Sequence, residues 1–249
     1  MKNIRTEFQK LRRRHLGLLF LAAFGLIVLW TLWAVNDLDL TKLNDTTALL
    51  TTNLLLMNTI LSPLLLAVTA SRMCDMEQAG NTYTWIFTMQ TPSSFLDSKL
   101  AAGIFYMLVF DLGQFFFLIA MDMRFLKGFQ LYHLEYLLSI FAVHLFLFLL
   151  QLLLSLRYEN QLLPLFISIG GTFAGLFSWF LNRLPLRYII PWGYFAALCN
   201  TGMNYDRATR YTEYYWTSYP LIWLAVLLLC TFLLYHFGKR RFARQIDRM

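Results

Sequence analysis

The sequence predicts an all-α membrane protein of six transmembrane helices with both termini in the cytoplasm, and three observations predict it. Of 249 residues, 58% are hydrophobic and only 14% charged, against about 25% charged in ordinary soluble domains. The apolar residues, 23 Phe among them, gather in long blocks rather than amphipathic stripes, which a helix surrounded by hydrocarbon tolerates. The basic residues crowd against the ends of those blocks. Lys2, Arg5, Lys10, Arg12, Arg13 and Arg14 precede the first, and Lys239, Arg240, Arg241, Arg244 and Arg248 follow the last. Although the net charge is +7, this distribution argues against nucleic acid as a partner, because charges flanking apolar spans are those held at a membrane surface.

Residues 1–15 read as an amphipathic interfacial helix. Ile4, Phe8 and Leu11 share one face, while Arg5, Lys10, Arg12 and Arg13 reach anionic headgroups. A plain positive anchor for the first span is the simpler alternative. Crossing roughly 30 Å of hydrocarbon takes about 20 residues. Six stretches qualify: Leu16–Val35, Thr47–Ala70, Leu100–Met121, Tyr136–Leu156, Gln161–Leu181 and Thr217–Phe237. The first is too long for a signal-peptide core and no small-residue cleavage site follows it. Only Arg157–Asn160 separate spans four and five, but roughly 40 apolar residues are too many for one re-entrant feature. An inner N-terminus places fourteen Lys and Arg in the inner segments 1–15, 71–99, 157–160 and 238–249, against seven outside. Cys74 falls in an inner loop, Cys199 in an outer one and Cys230 in a span, so no disulfide between faces is expected. No metal-ligand spacing occurs.

Polar residues inside the spans divide between two readings, a transport pathway or hydrogen bonds between helices. In span two, Thr51, Asn58, Ser62 and Thr69 share a face. Pro63 there removes a backbone donor, and Ser62 is available to the freed carbonyl. Asp111 is the one acidic residue well inside a span, with Gln114 a turn further on. An intramembrane carboxylate must face protein or water, and a structural hydrogen bond competes with proton movement. His144 and Gln151 lie one heptad apart in span four. Asp111 and His144 make the sole plausible pair for an intramembrane enzyme, without recognisable catalytic spacing. Gly171 and Gly175 in span five permit close backbone approach, either at a dimer contact or at an internal crossing.

The inner segment 71–99 is too long for a turn. Helical spacing places Met73, Met76, Gly80 and Tyr83–Thr84 near one side, and Arg72, Asp75 and Gln78–Ala79 near another, as in a short helix across the inner surface. It ends where Thr91 caps and Pro92 takes the first helical position, and Lys99 marks the return to lipid. The outer segment 182–216, rich in Tyr, Trp and Pro, suits the headgroup level. Its Arg183, Arg187, Arg207 and Arg210 face Asp206 and Glu213, a balance that sets no trap for a cationic peptide.

The run Arg72-x-x-Asp75-x-Glu77-x-x-Gly80-Asn81-Thr82, then Thr91-Pro92 and Lys99, resembles the coupling loop of ABC type-2 exporter permeases. The basic N-terminal helix, the six spans and the apolar outer segment between spans five and six are similar too. Within that family, the Asp-x-Glu-x-x-Gly-Asn-Thr run and the chain length most resemble the E-type permeases of lantibiotic self-immunity exporters. The resemblance implies that Arg72, Asp75, Glu77, Gly80, Asn81 and Thr82 form a coupling helix docking on cytoplasmic ABC ATPase subunits. Asp75 and Glu77 would pair with basic residues of an ATPase groove, a solvated pair being the alternative. Gly80 would permit close approach or simply break the helix. Pro191, Trp192, Tyr194 and Phe195 resemble the family's re-entrant outer helices and would close the exit; an aromatic belt is the plainer reading. The chain contains no Gly-x-x-x-x-Gly-Lys-Ser/Thr run, so ATP and Mg would be bound by the partner ATPase subunits. A second, non-identical permease chain would complete the transporter. The substrate would be a lantibiotic or similar antimicrobial peptide, expelled from the lipid of a bacterial plasma membrane to give self-immunity or resistance. A permease for another hydrophobic drug or lipid, an intramembrane enzyme and a scaffold are the competing readings.

Overall fold

The computed structural model describes residues 2–36, 45–80, 82–125, 127–181, 185–206 and 211–246. In chain order the helices are α1 (Lys2–Arg13), α2 (Leu16–Asn36), α3 (Thr46–Ala79), α4 (Tyr83–Met89), α5 (Pro92–Arg124), α6 (Leu131–Arg157), α7 (Leu162–Phe180), the one-turn α8 (Leu186–Ile189) and α9 (Tyr194–Ala197), and α10 (Leu221–Ile246). Six of them, α2, α3, α5, α6, α7 and α10, are long and apolar enough to cross a membrane. The protein is therefore a multi-pass, essentially all-α membrane protein.

The bundle is built around α3 and α6, which pack on each other; α7 and α2 lie against α3, and α10 against α6. Leu54, Leu66 and Met73 of α3 and Phe148 and Leu152 of α6 are fully enclosed. At the α5–α6 contact, a Cβ on Gly103 would run into the Phe148 ring, so the missing side chain sets how closely these helices approach. By contrast α2 and α10 turn most of their apolar surface outward, as helices facing lipid do. The ends of α1 and α10 lie at one end of the bundle, where Phe242 stacks near Phe95 and Lys239 pairs with Asp97. That end carries the basic clusters and is called the basic end below; the other is the distal end.

Two segments differ from the sequence expectation. Residues 71–99 are not a loop: α3 continues to Ala79, Gly80 closes it by donating its N–H to the Met76 carbonyl (3.3 Å), and α5 already starts at Pro92. Nothing from Ser71 to Ala79 stops a helix, and Met73 and Cys74 prolong its buried face. The connection proper is residues 80–91, and the separate helix in it is α4. Thr91 Oγ1 accepts from the Ser94 N–H at 3.3 Å to begin α5. In the outer segment, expected to lie at the headgroup level, β1 (Thr201–Asp206) and β2 (Tyr211–Trp216) form an antiparallel hairpin, in register from Thr201↔Trp216 to Asp206↔Tyr211. The Tyr- and Trp-rich β2 has the composition that favours strands. Arg183, Arg207 and Arg210 lie outside the described residues.

Asp45 clasps the distal end. Its Oδ1 caps α3 by accepting the N–H groups of Thr47 (3.0 Å) and Ala48 (3.2 Å) and takes Lys127 Nζ at 2.8 Å. Its Oδ2 accepts Trp216 Nε1 at 2.7 Å, and Trp216 stacks on Tyr132 with ring centroids 4.5 Å apart. Burial alone would raise the Asp45 carboxyl, but hydrogen bonds from Lys127, Trp216 and the Ala48 N–H outweigh it and hold the group below its ordinary 3.8. A depressed folded value stabilises the fold above the ordinary value and loses that contribution as pH falls through the depressed one. Melting temperature is therefore expected to fall on acidification below pH 3.8. Asp45→Asn, which keeps a capping side chain, should shallow that acid slope. Equal slopes for the two proteins would remove Asp45 from the account.

Candidate functional site

At the basic end a cluster of charges sits inside the protein. Lys99, in the second turn of α5, is 0% exposed, Glu77 of α3 2% and Glu7 of α1 3%. Lys99 Nζ donates to Glu77 Oε2 (2.9 Å), Glu7 Oε2 (3.3 Å) and the Met73 carbonyl (2.5 Å). Lys10, about one-third exposed, donates to Glu7 Oε1 at 2.9 Å and Glu77 Oε1 at 3.0 Å. Burial works against the Lys10 ammonium, yet the Glu7 and Glu77 carboxylates win and raise its pKa. Two cations and two anions thus close on each other. Buried charge is tolerated only when paired and hydrogen-bonded, and this pairing joins α1, α3 and α5.

Glu77 was expected to reach an ATPase groove or to be solvated; it does neither. Its carboxylate is consumed by Lys99 and Lys10 within the chain, because the helical continuation of α3 turns it inward. Asp75 remains half exposed and lies 3.8 Å from Arg14. Arg72 donates from Nη1 to the Arg14 carbonyl at 3.0 Å, gripping the turn where His15 adopts φ 52° between α1 and α2, an uncommon conformation for a residue with a side chain. Gln78 Nε2 donates to the Ser155 (2.9 Å) and Tyr158 (3.2 Å) carbonyls at the end of α6. The end of α3 is therefore held by three neighbours: α1, α5 and the α6–α7 turn. Gly80 serves as the helix terminator, Thr82 precedes α4, and Asn81 lies outside the described residues.

The surface of this unit is α4. Seven residues are too few for an isolated helix to persist in water. It is held by Tyr83 stacked on Phe87 (5.8 Å between centroids), with Phe87 edge-on to Phe95 at 5.5 Å. Facing away, Trp85 is 73% and Met89 82% exposed. An aromatic and a thioether presented together on one helical face are residues enriched at protein interfaces.

Within the spans, the polar candidates meet one another. Asn58 Nδ2 donates to Gln114 Oε1 (2.6 Å), Tyr136 donates its OH to the same oxygen (3.0 Å), and Ser62 Oγ donates to Asn58 Oδ1 (2.7 Å). Ser62 thus serves the Asn58 amide, not a backbone carbonyl freed by Pro63. His144 Nδ1 lies 2.7 Å from Asp111 Oδ1. Both groups are enclosed, so each carboxylate and amide faces protein. Gln151 is also buried, and among the described residues its amide has no partner.

Towards the distal end, a short 3₁₀ turn (Pro191–Gly193) and α9 dip between α3, α6 and α7. Phe195 is fully enclosed, 5.6 Å from the His144 ring, and Tyr194 is buried beside it. Trp192 lies on α7: a Cβ on Gly171 would overlap its ring, and one on Gly175 would meet its carbonyl. Both glycines of α7 are thereby used inside the chain, which answers the question the sequence left open between dimer contact and internal crossing. Glu7, Trp85 and Met89 were not singled out from the sequence, and Lys10 was read as reaching lipid headgroups rather than carboxylates. For Glu7 a signal existed: it lies three residues after Ile4 and four before Leu11, on the apolar face of α1.

Residues 3–175 match the sequence model of a family described as ABC-2 family transporter protein. The match runs from α1 into α7 and so contains the buried charge cluster and α4. No curated protein and no solved structure gives a match.

Proposed function

The chain belongs to the ABC-2 family of transporter proteins, and on that premise we propose that it is the permease of an exporter that clears a lantibiotic from the membrane. As a family member it is a membrane transport subunit that works with ABC ATPase subunits. The observation that carries the coupling part of the proposal is the exposed pair Trp85 and Met89 on α4, backed by the buried cluster of Glu7, Lys10, Glu77 and Lys99. We place the basic end in the cytoplasm, where Lys and Arg accumulate. There the ATPase subunits, which bind ATP and Mg, would seat on α4. Their closure would push the end of α3 and, through Lys99 and Glu77, carry α1 and α5 with it. The coupling contact is then mainly apolar, with Asp75 at its rim, in place of the ion pairs first expected.

The lantibiotic assignment draws support from the Asp75 to Thr82 run and from apolar surface at the distal end, where Met203, Tyr205 and Tyr215 of the hairpin are exposed. Contact there with an amphipathic peptide would rest on apolar and aromatic surface. A second, non-identical permease would complete the pathway, and movement of the Trp192–Phe195 segment would open the exit.

The test is expression of the chain with its ATPase and the second permease in a sensitive host, challenged with a lantibiotic panel and, separately, bacitracin. Protection against lantibiotics alone is expected; protection only against bacitracin would refute the substrate. Trp85→Glu is expected to weaken ATPase binding, read by copurification, about thirtyfold, as loss of an interface anchor worth about 2 kcal/mol does, with the melting temperature unchanged. Undiminished copurification would exclude α4 as the contact.

A further inference from the structure

Between α6 and α10 a cavity of about 270 Å³ opens at the basic end. Leu150 and Leu154 of α6 and Leu234 and Phe237 of α10 supply apolar walls. The helices close on each other where Leu153 occupies the space a Cβ on Gly238 would need. Along one face of α6 the order is Leu150, Leu154, Arg157; along α10 it is Phe237, Arg241, Gln245. Both helices run towards the basic end, so the apolar groove terminates in two guanidinium groups and an amide.

Among the described residues neither Arg157 nor Arg241 has a carboxylate within ion-pair distance, whereas the neighbouring Lys239 takes Asp97 at 2.6 Å. The Arg157 guanidinium rests 5.5 Å from the Tyr158 ring centre and leaves its donors available. Since α10 is the least buried of the six long helices, the groove is open towards lipid.

We infer that this groove binds an anionic phospholipid of the leaflet at the basic end, one acyl chain between α6 and α10 and the phosphate on Arg157 and Arg241. The volume fits that division, being just under the roughly 300–1,000 Å³ of pockets that enclose a whole small molecule. It admits part of a chain and leaves the headgroup outside. Guanidinium groups match phosphate oxygens in fork geometry, and the Gln245 amide adds a donor. Such a lipid would fill the gap between α6 and α10 beside the point where Leu153 meets Gly238.

The full-length protein, purified and delipidated in detergent, is offered phosphatidylglycerol or phosphatidylcholine, and retained lipid is read by native mass spectrometry. Phosphatidylglycerol is expected to be retained in preference. Arg157→Gln with Arg241→Gln should weaken retention about tenfold or more, since each basic contact near an anionic headgroup is worth about a factor of five. Arg240→Gln with Arg244→Gln removes the same charge from residues that do not line the groove and should leave retention unchanged. Leu154→Trp, which fills the groove and keeps both arginines, should also expel the lipid. Equal loss from the two arginine pairs would reduce the effect to diffuse surface charge and overturn the site. So would equal retention of phosphatidylcholine, or cross-linking of a second copy's helix into the groove.

Discussion

Lys99→Met is expected to destabilise the protein by about 3–5 kcal/mol, the usual cost of removing one partner from a buried ion pair. The substitution preserves much of the volume and deletes the charge. What remains is Glu7 and Glu77, 3% and 2% exposed, facing each other with only the partly exposed Lys10 between them. The Met73 carbonyl also loses its donor. Thermal unfolding in detergent should show the loss, and Glu77→Gln in the Lys99→Met background should recover part of it by restoring charge balance. The double-mutant cycle isolates the pairwise term. A Lys99→Met protein that melts with the wild type would show that these charges do not hold the basic end together. The same geometry bears on Glu77→Lys. With its carboxylate inside the protein, that change sets three lysines side by side and should fail at folding before coupling can be measured.

Gly171→Val is expected to unseat the outer segment. Its Cβ would overlap the Trp192 ring, and overpacking of a close contact costs about 1–3 kcal/mol. Backbone cannot retreat easily here, because the Trp192 carbonyl already lies against Gly175 on the same helix. The distinguishing measurement is compensation. Adding Trp192→Ala to Gly171→Val should return the melting temperature towards that of Trp192→Ala alone, since the clashing ring is gone. If Gly171→Val and the wild type are indistinguishable, or if the second change brings no relief, Trp192 does not sit where described. For transport, the single variant should show a leak or a block at the distal end with normal membrane insertion.

These two sites differ in how far the sequence revealed them. The α7 glycines announce a close approach, because a glycine pair four residues apart leaves a smooth strip on one helix face. Their partner is an indole some twenty residues on, and a contact made after a chain reversal leaves no periodic trace. Asp111 and His144 were each legible as costly in lipid, and their pairing was an available guess because so few ionisable residues share the spans. The cluster at the basic end was harder. Lys99 reads as a residue marking the return to lipid, and Glu77 as a charge facing an ATPase groove or water; only packing converts them into enclosed partners. The hairpin escaped for a different reason: in an aromatic outer segment, strand composition and membrane-interface composition coincide.

By itself the sequence determined that the chain has six helices long and apolar enough to cross a membrane. That property follows from the solvent: hydrocarbon demands long uncharged helices and water holds the cations outside them, so local composition suffices. Tertiary structure alone decided which charges are partners, which face of α4 is presented, and that Glu77 turns inward. Burial and Coulomb pairing depend on distances between residues far apart in the chain, and no local pattern encodes a distance that only packing creates.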